Sequence, residues 1–336
     1  MKQKFFKRLA AAAVLLLSAA TASAHDFEVN GIYYNINSDG TSVGVTYKGN
    51  YYDYYDNEYS GAVTIPASVT YSGKTYSVTS IGSHAFAYCS GLTSVSIGNS
   101  VTEIGEDAFD KCSGLKKVEI SNLEAWCKIS FYNVDANPIY YSHNLFLNGQ
   151  EIKNLIIPES VQELKSYVFL GCRGLTSVSI GNSVTSIGYA AFWKCSGLTS
   201  VEIPNSVTSI DRWAFEDCRG LTSVEIPNSV TKIGYAAFAY CSGLTSVSIG
   251  NSITSIGETV FYGCSGLKLV FFNAKKCSVV KDNNPSVGSF TSSDLTLVIG
   301  ADVEKIEGGL LTSSNTTKIV TQAATPPVIT AETFYQ

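Results

Sequence analysis

Apolar and polar residues succeed one another in the same order every 23 residues over most of this chain. In the copy that begins at Leu198, the next apolar residues of the pattern are Val201 and Ile203, and this alternation is typical of a strand with one buried face. A Pro-Asn-Ser or Gly-Asn-Ser tripeptide follows and predicts a turn. Each unit is therefore expected to contain a short β-strand that ends in a turn.

A second apolar stripe precedes the strand in each unit. Ile187, Ala191 and Cys195 are spaced i, i+4 and i+8, with Phe192 beside them, which predicts the buried face of a helix about two turns long. We expect Gly197 to end this helix in the left-handed conformation. A unit of one strand and one short helix cannot bury its apolar face alone, so neighbouring units must stack into a solenoid.

The period rests on the phrase A/V-F-x-x-C-S/R-G-L, whose copies contain Cys89, Cys112, Cys172, Cys195, Cys218, Cys241 and Cys264. With the strand segment it reads A-F-x-x-C-S-G-L-T-S-V-x-I-P-N-S-V-T-x-I-G, which resembles the BspA-like leucine-rich repeat over roughly residues 62–310. The expected fold is an α/β repeat solenoid of the leucine-rich repeat class. It is a right-handed, curved stack of 23-residue strand and short-helix coils with a β-rich N-terminal cap.

The chain begins with the features of a secretory signal peptide. Lys2, Lys4, Lys7 and Arg8 precede a short apolar run, and Ala22-Ser23-Ala24 forms a small-residue cleavage site before His25. A retained N-terminal anchor is the alternative. The predicted organisation is a signal peptide at 1–24, a β cap with a first irregular coil at 25–76, the solenoid at 77–316 with irregular coils at 121–160 and 273–300, and an edge strand and tail at 317–336.

Composition narrows the possible partners. The formal net charge is −5 and no basic block occurs, so nucleic acid and anionic lipid surfaces are poor candidates. With only three His, a histidine-built metal site or a cofactor is not expected. No segment after the leader reaches the roughly 18 apolar residues that a membrane-spanning helix needs. We expect an exported monomer that is secreted or held at the cell surface, with cleavage after Ala24.

Nine cysteines in an exported chain raise the question of disulfides. Because each unit has its Cys at the same position, the side chains should run parallel rather than converge in pairs. We therefore expect reduced thiols packed in a column, and no zinc site, while the state of Cys127 and Cys277 stays open. Cys218→Ser should cost about 1–3 kcal/mol of stability, because it buries a hydroxyl without a clear partner.

Candidate binding residues occupy the variable positions around the A-F-x-x-C phrase. Residues 23 apart should lie on successive coils, which predicts columns such as Tyr189, Arg212 and Tyr235, with Arg212 between two rings. Trp and Tyr on a rigid surface are typical of binding hot spots. The alternative is that the rings merely cover neighbouring coils and that Lys194 and Asp217 form an ordinary surface pair. The candidate ligand-binding residues are Tyr189, Trp193, Arg212, Trp213, Tyr235 and Tyr240.

Two further groups of residues have a composition that is compatible with carbohydrate chemistry. Glu202 and Glu225 should stand on adjacent strands about 5 Å apart, a separation that suits a retaining glycosidase. They lack a cleft that would raise one pKa, so no catalytic residue is expected. The run Tyr51-Tyr52-Asp53-Tyr54-Tyr55 is either part of the cap or a sugar-binding platform.

The function that this sequence favours is that of a surface binding protein. The BspA-like resemblance implies an adhesin that recognises host extracellular matrix proteins such as fibronectin, or other bacteria. The alternative is a glycan-binding or glycan-degrading accessory protein.

Overall fold

The computed structural model describes residues 25–49, 58–280, 290, 292, 294–307, 311–312, 316–325, 327–329 and 334–335. The predicted signal peptide at 1–24 and the tyrosine run at 51–55 lie outside these residues. The predicted domain boundaries stay predictions.

The N-terminal region is built from antiparallel pairs. Strands β1 (Phe27–Val29), β2 (Ile32–Ile36) and β3 (Ser42–Thr46) pair antiparallel in chain order. Strands β5 (Ser68–Tyr71) and β6 (Lys74–Ile81) form a hairpin whose turn, Ser72-Gly73, has positive φ at both residues. Strand β3 pairs parallel with β6, so this region continues directly into the stack that follows.

From there each coil contributes one strand to a parallel face of the solenoid. Neighbouring coils pair with an offset of 23 residues, as in Val224 opposite Val247, and bury the alternate apolar residues. The strands of this face are β4 (Gly61–Ile65), β7 (Leu92–Ile97), β9 (Lys117–Ile120), β11 (Leu145–Leu147), β13 (Asn154–Ile156), β15 (Ser177–Ser179), β17 (Ser200–Glu202), β19 (Ser223–Ile226), β21 (Ser246–Ile249), β23 (Leu269–Phe272), β25 (Leu295–Ile299) and β28 (Thr316–Thr321), with β12 (Gln150–Glu151) antiparallel to β11. They form three separate sheets, which break between β11 and β13 and between β17 and β19.

A second parallel face comes from short strands that the sequence pattern did not predict. These are β8 (Glu103–Ile104), β10 (Ser130–Phe131), β14 (Glu163–Leu164), β16 (Ser186–Ile187), β18 (Ser209–Ile210), β20 (Lys232–Ile233), β22 (Ser255–Gly257), β24 (Lys276–Val280), β26 (Lys305–Glu307) and β29 (Val328–Ile329). From β14 to β29 they form one continuous sheet, while β27 (Leu311–Thr312) pairs with β30 (Phe334–Tyr335). Ile187, assigned above to a helix, is thus a strand residue.

The predicted two-turn helix in each unit is wrong. The segment 188–196 consists of turns, and Ala190 and Lys194 have positive φ. Alternate N–H groups bond three residues back, as from Ala191 to Gly188. The N–H groups between these, those of residues 190, 192 and 194, donate hydrogen bonds to the next coil, at the carbonyls of residues 212, 214 and 216. The stack therefore satisfies backbone groups that a helix would satisfy internally.

Gly197 does not end a helix in the left-handed conformation, as its φ is not positive. Its position is crowded by the preceding coil, because a Cβ placed there would lie 2.2 Å from the carbonyl oxygen of Arg173. The glycine is needed for the close approach of two backbones.

Among the described residues, helices occur in the irregular stretch between Cys112 and Cys172. They are α1 (Leu123–Cys127) and α2 (Ile139–Ser142), with a 3-10 turn at Val134–Ala136. Trp126 of α1 is buried, and its indole Nε1–H donates to the carbonyl of Val168, 2.9 Å away. This bond ties the irregular stretch to the first regular coil after it. No helix in the described part of the chain has the length and apolar character to cross a bilayer.

Stacked rings and buried thiols fill the core of the regular coils. Phe192, Phe215 and Phe238 stack with successive centroids 5.1 Å apart, and the column continues in both directions. The nine cysteines, all within the described residues, are buried free thiols, including Cys127 and Cys277. Burial raises the pKa of the Cys127 and Cys277 thiols to about 12.

Five thiols of the column, those of Cys112, Cys195, Cys218, Cys241 and Cys264, have a backbone carbonyl as hydrogen-bond acceptor, and this alters the prediction for Cys218→Ser. The Cys218 Sγ donates to the carbonyl of Phe192 over 3.2 Å, and the same contact recurs at Cys195, Cys241 and Cys264. A serine hydroxyl at position 218 would therefore find a partner, contrary to the expectation from sequence.

Candidate functional site

The turn segments expose one set of side chains and bury another. In the coil at 188–196, Ala191, Phe192 and Cys195 point into the core, whereas Tyr189 and Trp193 keep part of their surface in water. The backbone that carries the outer residues is held by bonds between coils. The N–H of Trp213, for example, donates to the carbonyl of Tyr235 over 3.0 Å. The outer side chains are thus displayed from a fixed backbone.

Aromatic rings from successive coils meet on this outer surface. Trp213 contacts Tyr189 at a centroid separation of 5.0 Å and Trp193 at 6.1 Å. Further along the stack, Tyr240 meets Tyr262 edge-on at 5.4 Å. The rings form two clusters, the first around Trp213 and the second made by Tyr240 and Tyr262 of the two coils that follow.

A groove of about 420 Å³ opens between the two clusters; we call it the aromatic groove. It is lined by Trp193, Trp213, Glu216, Tyr235, Ala236, Ala239, Tyr240, Glu258, Thr259 and Tyr262. The groove exists because two of these residues have small side chains. Ala239 stands at the unit position that holds Trp193, Glu216 and Tyr262 in other coils, and Ala236 at the position of Trp213 and Thr259.

The structure brings together four of the six predicted site residues. Trp193, Trp213, Tyr235 and Tyr240 line the aromatic groove, and Tyr189 packs against the Trp213 ring outside the lining. Arg212 lines a separate cavity of about 360 Å³, which shares Tyr235 with the groove. The ring that contacts Tyr189 from the next coil is that of Trp213, so the placement of Arg212 between two rings stays a prediction.

Lys194 and Asp217, which form a surface pair in the alternative interpretation, have separate contacts in the structure. The Lys194 ammonium lies 4.4 Å from the centroid of the Trp193 ring and 5.5 Å from that of Tyr140. Asp217 instead accepts a hydrogen bond from Arg219 Nε at 2.5 Å. An aromatic face next to the groove therefore already attracts a cation.

Two carboxyl groups in the lining were not predicted as site residues. Burial raises the pKa of Glu216 to about 7, and the charge of Asp217 adds to the rise while that of Lys194 opposes it. Glu258 is 1% exposed. It stands 23 residues after Tyr235, so the column rule used for the aromatic residues would have placed it beside them.

The repeat that builds this site identifies the chain's relatives. The sequence profile of the BspA type leucine-rich repeat region matches residues 62–145 and 139–268, with six copies. This chain belongs to the BspA-type leucine-rich repeat family. No curated protein matches it.

Three solved structures are similar to this BspA-type chain, all at low identity. A leucine-rich repeat protein from Bacteroides ovatus is 23% identical, with a TM-score of 0.42. The alignment covers 91% of this chain and 90% of the Bacteroides ovatus chain. A leucine-rich cell surface protein from Faecalibacterium prausnitzii is 24% identical, with a TM-score of 0.33 and coverage of 89% and 95%. The pneumococcal vaccine antigen PcpA is 17% identical, with a TM-score of 0.46 and coverage of 88% and 98%.

The two glutamates considered above stand on neighbouring strands of this BspA-type stack, and no ladder joins those two strands. Glu202 lies on β17 and Glu225 on β19, and these strands belong to different sheets. Both side chains are exposed, and Glu202 Oε2 accepts a hydrogen bond from Ser179 Oγ over 3.2 Å. On the described part of this face, these two glutamates do not form the enclosed carboxyl pair that glycoside hydrolysis requires. The described residues also contain no group of three His, Cys, Asp or Glu side chains placed to hold a metal ion.

Proposed function

We propose that this chain is a secreted or cell-surface binding protein that recognises a macromolecule, in the manner of an adhesin, through the aromatic groove. The observation that carries the proposal is the meeting of Trp193, Trp213, Tyr235 and Tyr240 around one opening. Tryptophan and tyrosine dominate the energetics of protein interfaces because they bury a large area with few rotatable bonds.

The proposal is consistent with the rigidity of the groove. Its wall residues sit on backbone that is bonded from coil to coil, so little conformational entropy is lost when a ligand orders them. Stacked repeats also present extended surfaces on which a central anchor site is supported by weaker contacts on either side. A host extracellular matrix protein or a bacterial surface macromolecule is the expected target class.

Export is part of the same proposal. The lysines, apolar run and Ala22-Ser23-Ala24 of the first 24 residues support secretion with cleavage after Ala24. Mass measurement of the N-terminus of the exported protein tests this directly, and a chain that starts at Met1 would contradict it.

The binding proposal is tested with immobilised matrix proteins and a glycan array, probed with the chain that lacks residues 1–24. The double variant Trp193→Ala/Trp213→Ala should lose at least about tenfold in affinity, as hot-spot residues do. Tyr132→Ala is the matched control, because Tyr132 is 66% exposed in the irregular stretch and lies outside the groove lining. Melting temperatures confirm that each variant is folded. Unchanged binding by the double variant would refute the role of the groove.

Glycan binding is the second candidate function. Sugar-binding sites also combine flat Trp and Tyr faces with a carboxyl group, and the lining of the aromatic groove contains both. Array signals confined to oligosaccharides, lost in the same double variant, would favour it. Hydrolysis that Glu225→Gln abolishes would instead indicate a glycan-degrading protein.

A further inference from the structure

We propose that the aromatic groove accepts a lysine or arginine side chain of a partner protein. The inference rests on the proposed binding function and specifies the chemistry of the group that enters the site. It is carried by the composition of the groove walls and by the charges around them.

The lining combines π faces with negative charge. Of the ten described residues that line the groove, two carry carboxyl groups and none carries a basic side chain. Rings beside carboxylates attract a cation both through the quadrupole of the ring and through the formal charge. A neutral ligand would contact the rings and would gain nothing from the charge of Glu216.

Two basic residues near the groove already have partners. Arg219 is paired with Asp217, and Lys194 lies against Trp193 and Tyr140. The position of Lys194 also provides an internal example of the proposed contact, since its ammonium approaches the centroid of a groove ring to 4.4 Å. Distances of this size are those of favourable cation–π pairs.

Shape favours the entry of one long side chain. The groove exists because Ala236 and Ala239 leave the space that Trp, Glu, Thr or Tyr fills at the same positions in neighbouring coils. Lysine and arginine have apolar stems that pack on rings while the charged end meets a carboxylate. Trp193 and Trp213 are on one side of this space, and Tyr240 and Tyr262 are on the other.

A bound cation would relieve the cost of charging Glu216. Burial and the neighbouring Asp217 raise the pKa of this carboxyl to about 7, Lys194 lowers it, and Glu258 and Tyr240 share the groove with it. A ligand ammonium favours the ionised form, so binding and deprotonation of Glu216 support each other. Affinity for a cationic side chain should therefore rise as the pH increases from 5.5 to 8.

The test uses short peptides of one scaffold, Gly-Gly-X-Gly-Gly with blocked ends, where X is lysine, arginine, norleucine or glutamine. Binding to the chain that lacks residues 1–24 is followed by NMR titration at pH 5.5 and pH 8. We expect the lysine and arginine peptides to bind at pH 8 and to bind several-fold more weakly at pH 5.5. Norleucine keeps the length of lysine without its charge, and equal binding of that peptide would overturn the proposal.

Three variants locate the effect. Glu216→Gln should weaken the lysine peptide about fivefold at pH 8, through loss of one nearby charge, and should remove most of its pH dependence. Glu225→Gln is the matched control, since it makes the same change of net charge at an exposed position on the strand face. Ala239→Trp should abolish binding by filling the groove with a residue that this unit position holds at Trp193. Equal weakening by Glu225→Gln would refute a local site.

The outcomes separate this inference from the proposed function. If macromolecular binding is lost in Trp193→Ala/Trp213→Ala while no cationic peptide binds, the groove is a binding site and its ligand is not a basic side chain. Oligosaccharide binding that Ala239→Trp abolishes would assign the groove to a glycan instead. If neither peptides nor macromolecules depend on the groove, both proposals fail.

Discussion

The inner positions of the turn segments hold the same residue types in successive coils, whereas the outer positions vary from coil to coil. At the inner positions, Phe192, Phe215 and Phe238 stack ring on ring, and each neighbouring thiol bonds to a carbonyl of the preceding coil. At the outer positions the residue changes from coil to coil, as from Trp193 to Glu216 to Ala239. An inner residue must match those above and below it, because a change in one coil leaves a void against two others. The outer positions have no such requirement, so the stack tolerates variation there.

This contrast separates stability from recognition within a few residues of chain. Substitution of inner residues should change the free energy of unfolding, whereas substitution of outer residues should change binding and leave the melting temperature nearly constant. The groove variants proposed above test the outer half of this statement, and the variants below test the inner half and the boundary between the two.

Phe215→Ala should have the largest effect on stability. Phe215 is fully buried between two rings, and its truncation should cost about 3–5 kcal/mol. Thermal and urea unfolding would measure the loss. Phe215→Leu is the control, because it retains most of the buried apolar area and should cost clearly less. An alanine variant with the stability of the parent would contradict the account of the column.

Cys218→Ser should have an intermediate effect of about 1 kcal/mol. The thiol is buried, but the carbonyl of Phe192 offers the new hydroxyl an acceptor, so the cost falls at the low end of the range expected from sequence. Urea unfolding gives the magnitude. Thiol labelling of the native protein is an independent check, and rapid reaction of the column cysteines would contradict their burial.

Glu216→Gln should have the smallest effect on stability, and one that depends on pH. The pKa of Glu216 is about 7 in the folded chain and near 4.5 ordinarily, so the folded state holds this proton more tightly. Its contribution is fully present below pH 4.5 and is lost as the pH rises through 7. The glutamine variant should therefore exceed the parent by about 1 kcal/mol at pH 8, after allowance for solvent screening, and match it near pH 4.5.

Unfolding measured at both pH values tests this prediction by the difference between variant and parent. Glu58, whose pKa burial also raises to about 7, contributes equally to both proteins and cancels in that difference. A variant that is less stable than its parent at pH 8 would show that the carboxylate stabilises the free protein.

Much of this architecture was predictable because the period is long and regular. An offset of 23 residues places equivalent residues on neighbouring coils, which was enough to predict the cysteine column, the stack and four of the residues that line the aromatic groove. The family profile confirms the repeat. The right-handed curvature stays a prediction.

The local conformation was harder to predict, because it depends on partners 23 residues away. The spacing of Ile187, Ala191 and Cys195 fits a helix, yet it also fits turns whose alternate N–H groups bond to the next coil. Two-residue strands such as Ser186–Ile187 are too short to leave an alternating pattern. The groove itself was not predicted from the sequence. It results from the small side chains of Ala236 and Ala239, and alanine carries no chemical group that marks a site.

The regular offset between coils has an evolutionary consequence. Duplication or loss of a whole 23-residue unit would leave each inner residue packed against the equivalent residue of the neighbouring coil. The number of coils can therefore change without other substitutions in the core. The same event between Trp213 and Tyr240 would move one wall of the groove away from the other. In a protein of this kind, gene rearrangement can therefore create or erase a recognition site while the structure that carries it remains intact.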